Sequence, residues 1–138
     1  MELKFLQVRE TSGDVLSSSD AVSEMMTEEA KADRECFWVL HLNTCNRLIE
    51  KELVSMGTLD CSLVHPREVF KRAVINGASG IITVHNHPGG SCKPSNADKE
   101  IWDILDRAGR LLDIEVLDHM IITPSGDYYS QRGTVGTN

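Results

Sequence analysis

Residues 81–98 read IITVHNHPGGSCKPSNAD, running from Ile81 to Asp98. The run Ile81-Ile82-Thr83-Val84 is short, apolar and rich in β-branched residues, which predicts a strand covered on both faces. It delivers the chain straight into His85, and Pro88-Gly89-Gly90 then marks a turn. Ser95, followed three residues later by Asp98 and an apolar-periodic run, predicts a capped helix start. The helix is expected over 95–112, with Ile101, Leu105, Ala108 and Leu112 on one stripe.

Working outward, Ser17-Ser18-Ser19-Asp20 supplies possible caps for a helix from Ala21 to Lys31. Cys36 to Leu42 is almost continuously apolar and predicts a second buried strand. Asn43-Thr44-Cys45-Asn46 is a turn, and Arg47 to Ser55 forms the other arm of a hairpin. Pro66 fits the first position of a helix whose face is Val69, Phe70, Ala73 and Val74. Downstream, Ile114 to Thr123 is a strand, Pro124 to Asp127 a turn, and Tyr128-Tyr129-Ser130 a last short strand. Helices alternating with strands predict an α/β layered domain. No repeat or linker divides the 138 residues, so residues 1–138 are expected to form one domain, with 1–17 unassigned.

The composition narrows the function classes. Hydrophobic content of 41% suffices for one core, and with only 5% aromatics the packing falls to aliphatic side chains. The formal net charge is −7, and the 14 basic residues are scattered, which argues against nucleic-acid binding by this chain. No apolar run approaches the length of a membrane span, and no signal-peptide core opens the chain. Cys36, Cys45, Cys61 and Cys92 make no C-x-x-C pair, so a cytoplasmic protein with reduced thiols is expected. Cys36 belongs to the core. Cys92 is a loop thiol, since three harder ligands already suffice for zinc.

His85 and His87 stand at i and i+2 on a strand end, so both imidazoles face one side. By itself H-x-H is a weak signal, and two exposed polar residues explain it equally well. Ser95 and Asp98 are explained by helix capping alone. The two features are joined by a short loop, however, which brings the Asp98 carboxylate near both imidazoles. Two His and one carboxylate leave a fourth tetrahedral position open, the arrangement of a catalytic zinc rather than a structural one. Such a site needs a proton-transfer group and an oxyanion donor. Ser95 could donate. Glu35, at the edge of the Cys36–Leu42 strand, could act as the base, although a solvated charge beside Arg34 accounts for it as well.

The pattern Glu35…His85-x-His87-x7-Ser95-x2-Asp98 resembles the JAMM (MPN+) metalloprotease motif. More narrowly, Arg34-Glu35-Cys36-Phe37, Val64-His65-Pro66-Arg67-Glu68-Val69-Phe70, His85-Asn86-His87-Pro88, Pro94-Ser95 and Leu117-Asp118-His119 resemble the RadC family, long described as DNA repair proteins. The resemblance covers roughly residues 18 to 133. It implies a cytidine-deaminase-like α/β fold, a mixed sheet with helices on both faces. It further implies a Zn2+-dependent hydrolase of peptide or isopeptide bonds, with water on the metal as nucleophile. His85, His87 and Asp98 would be the metal ligands, Glu35 the acid/base and Ser95 the oxyanion donor. The helix-hairpin-helix DNA-binding segment usual in that family is not found in this sequence.

Other readings carry less. A consecutive His-Asn-His is not the nuclease motif of that spelling, and the zinc deaminases require H-x-E with P-C-x-x-C. Asp118-His119 is expected to be a structural hydrogen-bonded pair, with a supporting role near the metal as the alternative. His41 reads as a satisfied or rim histidine and His65 as a helix-start residue. The rival of the hydrolase is a non-catalytic protein-interaction module in a DNA-processing assembly. The hydrolase itself implies a peptide or protein substrate.

Overall fold

A computed structural model describes residues 9–10, 13–57 and 64–133. The elements are β1 (Arg9–Glu10), α1 (Ser19–Met25), β2 (Cys36–Leu42), β3 (Leu48–Met56), α2 (Pro66–Ile75), β4 (Gly80–Asn86), α3 (Asn96–Leu112), β5 (Glu115–Ile122) and β6 (Tyr128–Ser130). The six strands form one sheet in the order β1-β3-β2-β4-β5-β6. The β4–β5 pair is parallel and the other neighbours are antiparallel. Two parallel neighbours need a crossover, and α3 provides it.

The central strands β2 and β4 are buried along their whole length because helices cover both faces of the sheet. Side chains alternate between two cores. Trp38, Leu40, Ile82 and Val84 meet α1 through Val22 on one side. Phe37, Val39 and Ile81 meet Phe70 of α2 and Ile101, Trp102 and Leu105 of α3 on the other. Burying a large apolar side chain stabilises the fold by about 1.5–3 kcal/mol. This double core is what holds the end of β4 in place.

The fold class agrees with the expectation, while several boundaries differ. The helix expected over Ala21–Lys31 starts earlier, capped by the Ser18 side chain, and ends at Met25; a separate 3-10 turn spans Glu29–Lys31. Continuing it would stack Glu24, Glu28 and Glu29 at the negative end of the helix dipole. Instead the Thr27 hydroxyl donates to the Glu24 carbonyl at 2.7 Å, and buried Glu29 pairs with Lys51 of β3. Two residues assigned to apolar faces look outward, Val74 at 56% and Leu112 at 49% exposure. The buried stripe of α3 is instead Asp98, Ile101, Trp102, Leu105 and Gly109. The β3 strand begins at Leu48, since Arg47 makes only an isolated bridge to Val15. Unassigned from the sequence, Arg9–Glu10 pairs with β3. Cys61 lies outside the described residues.

Candidate metal centre

The β4 strand runs two residues further than its apolar run, so His85 and Asn86 are strand residues. His85 stands opposite Phe37 in the β2–β4 ladder, and the two rings stack with centroids 6.1 Å apart. The Nδ1 of His85 is buried without a hydrogen-bond partner among the described residues, which leaves Nε2 as its polar contact. That nitrogen lies 3.1 Å from His87 Nε2 and 3.2 Å from Asp98 Oδ1. His87 follows the strand, and its Nδ1–H donates to the Ser91 carbonyl at 2.7 Å. The bond fixes the ring and turns Nε2 inward, 3.5 Å from Asp98 Oδ2.

Asp98 reaches this point because α3 starts beside the end of β4. Its backbone N–H donates to Ser95 Oγ at 3.0 Å, and its Oδ2 accepts the Ser95 backbone N–H at 2.8 Å, a complete capping box. Capping and convergence on the histidines thus use one carboxylate. Burial raises the Asp98 pKa, yet the bonds from His85 and His87 outweigh it and hold the group far below the usual carboxylate range. The His87 pKa is raised, chiefly by its bond to Asp98 and against its burial.

His85, His87 and Asp98 form the group of side chains among the described residues that could hold a metal ion, with ligand atoms all within 4.8 Å of one another. The separations of 3.1, 3.2 and 3.5 Å fit the edge of a tetrahedron with zinc-to-ligand bonds of 2.0–2.1 Å, about 3.3 Å. The donor set fits as well, because a ligating imidazole commonly donates its other N–H to a carbonyl, as His87 does to Ser91.

Glu35 and Ser95 line the same cleft of about 390 Å³ with His87, Pro88 and Asp98. Glu35 is half-buried immediately before β2. All five residues singled out in the sequence are therefore gathered at one end of β4. Cys92 is not part of the metal-binding group; it packs half-buried against the α2–α3 core. Burial pushes the Cys36 thiol up to about 11, as befits a core cysteine.

Asp118 and His119 are hydrogen-bonded, but not ring to carboxylate. The His119 backbone N–H donates to Asp118 Oδ1 at 2.8 Å, and as strand neighbours their side chains diverge. Buried His119 bonds Thr83 Oγ1 at 2.6 Å and Asp106 Oδ1 at 2.8 Å, and stacks on Trp102, whose other contacts include His85. His41 is fully buried, with Nδ1 2.8 Å from Asn76 Nδ2, and His65 is the N-cap residue of α2.

Fold and site define an α/β domain with two histidines and one carboxylate, a group that could hold a metal ion, gathered at the end of a central strand. Residues 16–135 match the family model described as RadC-like JAB domain, and the chain belongs to that family. It is 52% identical over 118 residues to a UPF0758 protein of Finegoldia magna, covering 85% of this chain and 52% of that one. A UPF0758 protein of Pelodictyon phaeoclathratiforme is 46% identical over 112 residues, 81% of this chain and 50% of the relative. One from Chlorobium chlorochromatii is 44% identical over 118 residues, 86% and 53% respectively. The chain spans about half the length of the curated relatives it matches. Among the described residues no helix is long and apolar enough to cross a membrane.

Proposed function

We propose that this chain is a zinc-dependent hydrolase that cleaves a peptide or isopeptide bond. The observation that supports this reading is the convergence of His85 Nε2, His87 Nε2 and the Asp98 carboxylate in a cleft that Glu35 and Ser95 also line. Zinc held by these three side chains would supply Lewis acidity, able to polarise a carbonyl and lower the pKa of water.

The chain's own residues supply the rest. Glu35 takes a proton from the attacking water and delivers it to the departing amine, so that one carboxylate acts as base and then as acid. Ser95 Oγ accepts the Asp98 N–H, and its own hydrogen stays free to donate to the oxyanion that develops on the carbonyl. Asp98 holds the imidazoles in place and would offset the positive charge of the metal. Pro88, Gly89 and Ser91 complete the wall of the cleft.

The test combines metal content with turnover. Protein purified without chelators or a His tag should carry about one zinc per chain, and His87→Ala should lose it. Glu35→Gln should keep the zinc while hydrolysis of fluorogenic peptide or isopeptide-linked probes falls about 10²–10⁴-fold. A chain that takes up no zinc, or a Glu35→Gln variant as active as the parent, would overturn the reading in favour of a non-catalytic interaction module.

A further inference from the structure

Asn86 lies between the two histidines, and strand alternation turns its side chain to the opposite face of the sheet. It therefore cannot join the ligand set, yet it is fully buried. A buried primary amide is tolerated only where its donors and acceptor are used. Here each goes to one short stretch of backbone. Oδ1 accepts the Cys36 N–H at 2.7 Å, while Nδ2 donates to the Arg34 carbonyl at 2.9 Å and the Ala32 carbonyl at 3.4 Å. The residue between Arg34 and Cys36 is Glu35.

The β2–β4 ladder explains why a side chain is needed. Its pairing runs from Leu42↔Gly80 to Phe37↔His85 and stops there. One step further Cys36 would face Asn86, and at that step the Asn86 amide replaces the backbone as the partner of Cys36. From the other side, the Glu35 carbonyl accepts the Gly57 N–H at 2.7 Å. Three consecutive residues are thus held from both flanks.

We propose that Asn86 is a positioning residue which sets Glu35 against the His85–His87–Asp98 group. One residue of β4 ties the proton-transfer carboxylate to the strand that carries His85 and leads into His87, so the two halves of the site move as one. Only an amide of this length offers an acceptor and two donors from one short stem. Its catalytic consequence rests on the hydrolase reading above, whereas its structural content does not.

The experiment uses Asn86→Asp, which keeps the acceptor for Cys36 but sets an oxygen against the Arg34 and Ala32 carbonyls, and Asn86→Ala, which removes both. Amide hydrogen exchange and zinc binding are measured on the full chain. Exchange across residues 33–37 is expected to rise at least about tenfold, with β4 and β5 amides unchanged. Zinc stoichiometry should hold and zinc affinity should change by less than about threefold, because no ligand is touched. With a turned-over probe, kcat should fall about 10- to 100-fold with KM little altered, the loss expected from a displaced catalytic group. Unchanged exchange at 33–37, a uniform rise over all strands, or loss of zinc with the amide would each overturn the assignment. If Asn86→Ala does not fold, Asn86→Asp decides the question alone. Absence of zinc in the parent would sink the hydrolase reading, while the exchange data would still decide the clamp.

Discussion

Ser95 and Asp98 exchange hydrogen bonds in both directions, Asp98 N–H to Ser95 Oγ at 3.0 Å and Ser95 N–H to Asp98 Oδ2 at 2.8 Å. On the proposed function the serine has two separable jobs, capping α3 and donating to the oxyanion. Ser95→Ala should lower stability by about 1 kcal/mol through loss of the cap. Ser95→Gly should cost only a few tenths of a kcal/mol (about 0.3) because glycine also tolerates the N-cap position. Hydrolysis should fall about 10²–10³-fold in both variants, since neither can donate to the oxyanion. Thermal denaturation alongside turnover checks this, and activity that followed stability would contradict the oxyanion role.

The raised pKa of His87 and the lowered one of Asp98 set a pH dependence in the metal-free protein. Protonated His87 is favoured in the folded state, so its contribution is fully present below the ordinary value of 6.5 and is lost as pH rises through the raised one. The Asp98 contribution is present above the ordinary 3.8 and is lost only as pH falls through its lower folded value. Metal-free protein should therefore be most favoured by this pair in mildly acidic solution and lose that support on the alkaline side. Zinc bound as proposed should reverse the trend, because binding must displace the imidazolium proton. The rise in Tm on adding zinc should be larger at about pH 8 than at about pH 6.

Asp98→Asn keeps the side chain's shape but removes its charge. The His87 pKa should return toward its ordinary value, because the bond to Asp98 is the chief cause of its elevation. An NMR titration of the His87 ring in metal-free protein measures this directly. Zinc affinity should fall at least about 10-fold, as two neutral imidazoles and an amide make a poor zinc site. An unchanged titration would mean that the contact seen here does not persist in solution.

Gly109 lies inside α3, where a glycine normally weakens a helix. Its place is explained by close approach, since a Cβ there would stand 2.6 Å from the Ile114 carbonyl oxygen and 3.0 Å from Val116 Cγ2. Gly109→Ala should destabilise the protein by about 1–3 kcal/mol, the usual range for overpacking, despite alanine's better helix propensity. Denaturant unfolding checks the sign, and a more stable variant would show that α3 can move off β5 freely.

How much of this was legible in the sequence depended on the distance between partners along the chain. His85, His87, Ser95 and Asp98 lie in one strand–loop–helix unit, so their spacing alone suggested that they meet. Glu35 does not yield to spacing: it reaches the cleft through the β2–β4 register, its place at a strand edge makes it only a candidate, and resemblance to a known motif favours it over a solvated charge. Asn86 was passed over because its partners sit on the opposite face of the sheet, at Arg34 and Cys36. An uncharged amide inside an otherwise apolar strand was the available signal. Periodicity misplaced Val74 and Leu112, because an amphipathic pattern gives a face but not where the neighbouring element stops covering it. The α1 helix ends at Met25, short of the span its caps suggest, because Glu24, Glu28 and Glu29 fall at the negative end of its dipole.

His85, His87 and Asp98 lie on β4, the loop after it and α3, one continuous stretch of chain, whereas Glu35 reaches the cleft from just before β2 of a distant hairpin. Contacts close in sequence form sooner in folding than distant ones. On the proposed function, metal capture would need only local closure of the strand–loop–helix unit, and proton transfer would need β2 docked along β4. In a refolding time course zinc uptake should come first and turnover second. On that function a nascent chain would hold its metal before it could cleave a peptide bond, its own unfolded segments included.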